Sequence, residues 1–260
     1  MYQAVEADAF FVMRDGVYLP TEVQRSPWNP SAQNGVGIGG LLMHLVEQAP
    51  SEGPMLNARM IIDIQSATAF APTQGAFTVL RTGKRLQMVE ATLAHEGNVT
   101  ARGRLLRIRV AESPEYSPRD FAYDGPNGLR ERPRPLRVPL MQDAMETRLA
   151  EGLVERSGRN AIWQRLRWNL IAGTTTSPMV HAAMMSDYGH GISNPIDRNC
   201  WNAPNVDISM HMVRAPEGEW LALFAETFLG GTGAGLTNMT LADSKGVFGH
   251  AHQSLYLAPI

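Results

Sequence analysis

Three consecutive stretches of the first half alternate apolar and polar residues with the period of a half-buried strand: 77–83 (FTVLRTG), 84–97 (KRLQMVEATLAHEG) and 98–110 (NVTARGRLLRIRV). Turn residues separate them at Thr82-Gly83 and at Glu96-Gly97-Asn98, so they predict an antiparallel meander. Upstream, 56–70 reads as one more strand, and 10–24 alternates around Asp15-Gly16 as a hairpin. Between these lies a different pattern. From Gly37 to Glu47 the chain is apolar on nearly every side, with Ile38, Leu41, Leu42, Leu45 and Val46, which predicts a helix buried all round. Strands, one buried helix, then a meander argue an α+β fold with helix on sheet.

After residue 140 the pattern starts again. Residues 145–155 and 160–170 read as strands, 174–187 as a short helix, 205–214 as a strand, and 220–229, 235–243 and 247–257 as a second meander. Residues 91–106 can be laid on 239–255 if Lys245 is taken as a one-residue insertion, which implies two copies of a unit of ~110 residues. Between the copies, 111–139 holds six prolines and ten charged residues with no apolar period. The expected organisation is a first domain at 1–110, a linker at 111–140 and a second domain at 141–260.

The short helix carries the first chemical hint. Ser177 suits its N-cap, Pro178 its first position, and Gly189 a left-handed C-cap. Asp187 falls in the last turn, where a carboxylate opposes the helix dipole at a cost of about 0.3–1 kcal/mol. Asn205 opens the following strand and Gln253 lies in the last one. Together the three could hold a water, Asp187 taking its proton and the two amides orienting it.

Composition narrows the setting. The chain is 44% hydrophobic and 18% charged with net charge -2, which gives no bulk charge for a nucleic-acid or membrane partner. It has no apolar run long enough to span a bilayer, and its start has acids where a signal peptide needs bases. The single cysteine, Cys200, forms no internal disulfide, so a reducing, cytoplasmic setting is expected.

Other motifs read as structure. Gly35-Val-Gly-Ile-Gly-Gly40 fits G-x-G-x-x-G, but no strand precedes it, so close packing of the buried helix accounts for the glycines. The chain has no G-x-S-x-G elbow and no Walker A sequence. His250 and His252 share one strand face without acids or thiols beside them, and no metal or cofactor is expected.

At these residues the sequence resembles the acyl-CoA thioesterase II family. The resemblance rests on 76–97, on METRLAEG, MMSD, NVDISMHMVR and EWLALFAETF, and on VFGHAHQSLY. It implies a double hotdog, in which two antiparallel sheets each wrap a central helix, here Gly37–Glu47 and Pro178–Asp187. It implies hydrolysis of acyl-CoA to free acid and CoA by a water held between Asp187, Asn205 and Gln253, without a covalent intermediate. The family has Thr or Ser where Asn205 stands, so an acyl-CoA-binding protein without turnover is the alternative. A hotdog hydratase is a further one, disfavoured because Asp197, not His, follows Asn194-Pro195-Ile196. The first unit's counterpart of Gln253 falls near Arg104 and its helix ends at Glu47, so two equal sites are not expected. Arg81, Lys84 and Arg85 become expected contacts for the CoA phosphates, the methionines at 179, 184, 185, 210 and 212 line an acyl tunnel or belong to plain core, and a homo-oligomer is implied.

Overall fold

The computed structural model describes residues 2–116, 124–131, 139–151 and 158–260. Parts of the expected linker (117–123 and 132–138) and the end of the expected strand 145–155 (152–155) lie outside the described residues.

The meander forms as its periodicity requires. Strands β3 (Met55–Ile64), β4 (Thr73–Thr82), β5 (Leu86–His95) and β6 (Asn98–Arg109) pair antiparallel, following the hairpin β1 (Ala9–Arg14) and β2 (Val17–Pro20). In β5 the inward residues Gln87, Val89, Ala91 and Leu93 are all buried, alternating with partly exposed ones. Asp15-Gly16 and Glu96-Gly97 both take positive φ at two successive positions, the twist that a two-residue hairpin needs. Strand β3 stops at Ile64, short of the expected 70. Beyond it the backbone leaves the sheet: Gln65 and Ser66 donate to Thr100 O, and Phe70 donates to Ser31 O.

Helix α1 (Gly35–Glu47) starts two residues earlier than expected because Asn34 caps it, its side chain accepting from the Val36 amide at 3.0 Å. Ten of its residues are buried, and it lies across β4, β5 and β6. The second half supplies helix α2 (Pro139–Ala144) and strands β7 (Met145–Glu151), β8 (Arg159–Leu166) and β9 (Asn169–Ile171). Helices α3 (Pro178–Ser186) and α4 (Tyr188–Ser193) follow, then strand β10 (Trp201–Asn202). Strands β11 (Asp207–Met212), β12 (Leu221–Leu229), β13 (Ala234–Asp243), β14 (Gly246–Tyr256) and β15 (Ala258–Pro259) complete the chain.

The two halves do not keep separate sheets. One 13-stranded sheet runs β7-β8-β12-β13-β14-β11-β3-β6-β5-β4-β2-β1-β9. The expectation of two sheets is corrected at the β11–β3 seam, where Asp207 pairs with Asp63 and Met210 with Met60. Joining removes an unpaired edge from each half. A single core cluster takes residues from both halves, including all five methionines of the expected tunnel.

The internal repeat is present, and its register is simpler than the sequence suggests. β5–β6 and β13–β14 turn around two residues each, Glu96-Gly97 and Ser244-Lys245. Both hairpins also shift register just before the turn, at Leu93/Ala94 and at Leu241/Ala242. Lys245 is therefore no insertion but the counterpart of Gly97. Counting from the two turns, Gln253 matches Leu105, one residue beyond the expected Arg104.

Candidate active site

Helices α1 and α3 lie side by side and run in opposite directions, because glycines let their backbones meet. A Cβ on Gly39 would sit 3.4 Å from Ala183 O, and one on Gly40 would sit 2.6 Å from Met184 Cγ. The glycine run thus packs helix on helix. The same geometry brings the end of α3 to the start of α1: a Cβ on Gly35 would lie 2.5 Å from Asp187 Oδ1.

Asp187 is therefore not only a C-terminal carboxylate. It follows the last residue of α3, where the dipole disfavours its charge, and it faces the first residue of α1, where the dipole favours it. Desolvation outweighs both: burial pushes its carboxyl up to about 6, while the hydrogen bond from Asn205 pulls in the other direction. Asn205 Nδ2 donates to Asp187 Oδ1 at 2.9 Å. The sequence-predicted Asp187–Asn205 pair is thus brought together, and Asp187 keeps partial solvent access.

Gln253 is also at this junction, where it bonds to backbone groups. It is fully buried. Its Nε2 donates to Ser186 O at 2.9 Å and to Asp187 O at 3.3 Å, while its Oε1 accepts from the His190 amide at 3.0 Å. All three partners are backbone groups where α3 ends and α4 begins. Gln253 holds the backbone that carries Asp187, with its amide group bonded to two carbonyls and one amide there.

Gly189 departs from the expected C-cap. Its φ is not positive and it lies inside α4. A Cβ there would run into Met239 Sδ and come within 3.1 Å of Gln253 Oε1, so the glycine provides room for that contact. The caps expected of Ser177 and Pro178 are present, Ser177 Oγ accepting from the Val180 amide at 3.1 Å.

Arg81, Lys84 and Arg85 are not brought to Asp187. Their hairpin lies at the other end of α1: Arg109 donates to Lys84 O, and Gln87 in the following strand donates to Pro50 O, just beyond the helix. The 13 residues of α1, about 20 Å of helix, separate that end from Asp187. His250 and His252 are exposed on the outer sheet face and turn toward Thr240 and Asn238. The first turn of α1 forms one wall of this candidate site, which the sequence alone does not reveal. Its signal was Gly35 directly behind Asn34, read only as packing.

Family profiles match almost the whole chain. Residues 24–108 match the acyl-CoA thioesterase N-terminal domain, and residues 114–257 match the acyl-CoA thioesterase C-terminal domain. The chain belongs to the acyl-CoA thioesterase family.

No curated protein matches it significantly. Among solved structures, a thioesterase II from Thermobifida fusca is similar at 17% identity and TM-score 0.73, covering 95% of this chain and 94% of that one. A hotdog-fold protein from Alicyclobacillus acidocaldarius is similar at 15% identity and TM-score 0.77, with 97% and 98% covered. The acyl-CoA thioesterase II TesB2 of Mycobacterium marinum is similar at 16% identity and TM-score 0.69, with 95% of each chain covered. At these identities the likeness shows a hotdog fold.

Proposed function

We propose that this member of the family hydrolyses acyl-CoA thioesters at the junction of α3 and α1. The observation that carries the reading is Asp187: a carboxylate raised to about 6, bonded by Asn205 and lying on the first residue of a neighbouring helix. A base with that value is half ionised at about pH 6 and mostly ionised at neutral pH, so it can take a proton and return it within the same cycle.

A water beside Asp187 attacks the thioester carbonyl carbon as Asp187 takes its proton. The negative charge that forms on the carbonyl oxygen faces the start of α1, where the Gly35 and Gly37 amides have no acceptor within the helix. The C–S bond then breaks, and the proton on Asp187 goes to the CoA thiolate, giving free acid and CoA. Asn205 orients carboxylate and water, and Gln253 fixes the backbone that carries Asp187. The acyl chain enters the methionine-lined side of the core.

The reading also takes the chain as a homo-oligomer acting in the cytoplasm. No helix among the described residues is long and apolar enough to cross a membrane. Arg81, Lys84 and Arg85 contact the CoA phosphates in this proposal from the far end of α1, so they serve a CoA lying along the outer surface or one bound to a neighbouring copy.

The test is CoA release from short, medium and long acyl-CoAs, with the matching N-acetylcysteamine thioesters beside them. Turnover by the wild type and a loss of at least about 10²-fold in Asp187→Asn are expected. The truncated thioesters report whether the CoA phosphates contribute to KM. If neither protein releases CoA while both bind acyl-CoA, the chain is a binding protein and the Asn205 substitution explains why.

A further inference from the structure

Sequence spacing puts two imidazoles, His250 and His252, on one face of β14, and the strand register adds a third. In the β11–β14 pairing His211 stands directly opposite His250, and Ser209 opposite His252. Directly opposed residues have Cβ atoms about 4.5–5.5 Å apart, and diagonal neighbours are still within reach of long side chains. All three histidines are exposed, while the residues that flank them along the strands, Met210, Met212 and Ala251, are buried in the core. The cluster is therefore on the outer face of the sheet, across it from α1, α3 and Asp187. Gly249 lets the two strands close up here, because a Cβ at that position would run into His211 O.

The rings on β14 are oriented from a third strand. β13 sets Asn238 opposite His252 and Thr240 opposite His250. His252 Nδ1 lies 2.9 Å from Asn238 Oδ1, and His250 Nδ1 lies 3.5 Å from Thr240 Oγ1. Against the Asn238 oxygen Nδ1 is the donor, so the neutral His252 ring keeps its lone pair on Nε2. A metal-binding imidazole is held in this way, one nitrogen donating to an oxygen while the other ligates. Two charges border the cluster: Arg59 faces His211 from β3, and Asp207 opens β11 on the same face. His252 binds its proton less readily than a free imidazole does, through burial first and then through His211 and His250, with Asp207 opposing them. The three rings are thus close enough to act on one another.

We propose that His211, His250 and His252 form a surface site for a divalent cation of the zinc class, bound by three imidazoles with water completing the coordination. Three histidines and one open position are a recurrent donor set for zinc. No carboxylate is paired with any of the three positions, so the set favours zinc, copper or nickel over magnesium and calcium, which take oxygen ligands. Among the described residues no three His, Cys, Asp or Glu side chains are already gathered to hold a metal. These three are exposed, so rotation about χ1 and χ2 brings their free nitrogens together while the strands stay in place. The metal then pins β14 to β11, beside the seam that joins β11 to β3. This inference is independent of the proposed hydrolysis, which takes place on the other face of the sheet.

The test uses the full chain without an affinity tag, titrated with Zn²⁺ in competition with a chromophoric chelator. One Zn²⁺ per chain should bind, and the melting temperature should rise with Zn²⁺ but not with Mg²⁺ at the same concentration. His211→Gln, His250→Gln and His252→Gln change exposed side chains, so each should fold and melt as the wild type does without metal. Each should weaken Zn²⁺ binding by at least about tenfold and abolish the zinc-dependent rise in melting temperature. A wild type that takes up no Zn²⁺ would overturn the proposal. So would Zn²⁺ affinity unchanged in His211→Gln, because the metal would then be held by β14 alone or elsewhere on the chain.

Discussion

Asp187 is held between two opposed electrostatic demands, and its raised pKa sets how the protein responds to pH. The carboxyl sits at about 6 in the fold against an ordinary value of 3.8, with desolvation the main cause. The folded chain therefore binds this proton more tightly than the unfolded chain does. Protonated Asp187 is tolerated below pH 4, and its contribution to stability falls as pH rises from about 4 to about 6. A shift of that size corresponds to about 3 kcal/mol lost across the window. Catalysis runs the other way, because a base must be ionised. The acid limb of kcat/KM should rise through an apparent pKa near 6 and level off above it. Asp187→Asn should melt at a higher temperature than wild type at pH 7 to 8, and the gap should close toward pH 4. A gap that does not change with pH would place the raised pKa elsewhere. The sequence exposed half of this: an acid in the last helical turn was visible as an anomaly, but the opposing helix that desolvates it was not.

At the scale of elements, the α3–α4 break depends on one side chain from a strand 60 residues away. Gln253 satisfies two carbonyls and one amide that the break leaves over, and Gly189 gives it room. This explains why a single helix with a left-handed glycine cap was expected and not found. The cap rule treats a helix end as a local event, whereas this end is closed from outside by β14. Gln253→Leu, which copies Leu105, should strand those buried backbone groups at about 1–3 kcal/mol each. The melting temperature should fall and kcat should drop with it, since Asp187 loses its backbone anchor. Normal stability combined with lost turnover would show that Gln253 touches the reacting water after all. The strands of the two meanders, by contrast, were legible almost residue by residue, because a half-buried strand writes its burial in its own alternation. Residues 65–70 continue that apolar pattern past Ile64, yet their backbone partners are Thr100 and Ser31, which no periodicity encodes.

Across the whole molecule the seam is what makes one body of two repeats. β11 and β3 pair over five residues from Asp207–Asp63 to His211–Arg59, so each half completes the other's sheet. β9, which follows β8 in the second half, pairs in parallel with β1 at the far edge of the first. The core cluster runs through both halves without a gap, and α1 packs on α3 across it. Sequence could show that the pattern repeats, but it could not show which strand edges would meet, because both edges carry the same alternation. With this wiring neither half has a complete core or a covered sheet edge alone, so folding should couple them. Thermal unfolding followed by Trp fluorescence and by far-ultraviolet circular dichroism should give coincident transitions. Proline at Ile61, in the middle of the seam strand, removes a ladder donor from a position paired on both sides to Arg104 and Ser209. It should lower stability by about 3 kcal/mol or more and keep the transition single. Two separated transitions in that variant would mean that the halves are independently stable and that the seam merely joins them. The Asp187 centre would then need no shared scaffold. A single transition makes the Asp187 centre dependent on residues of both repeats, as its position at the start of α1 requires.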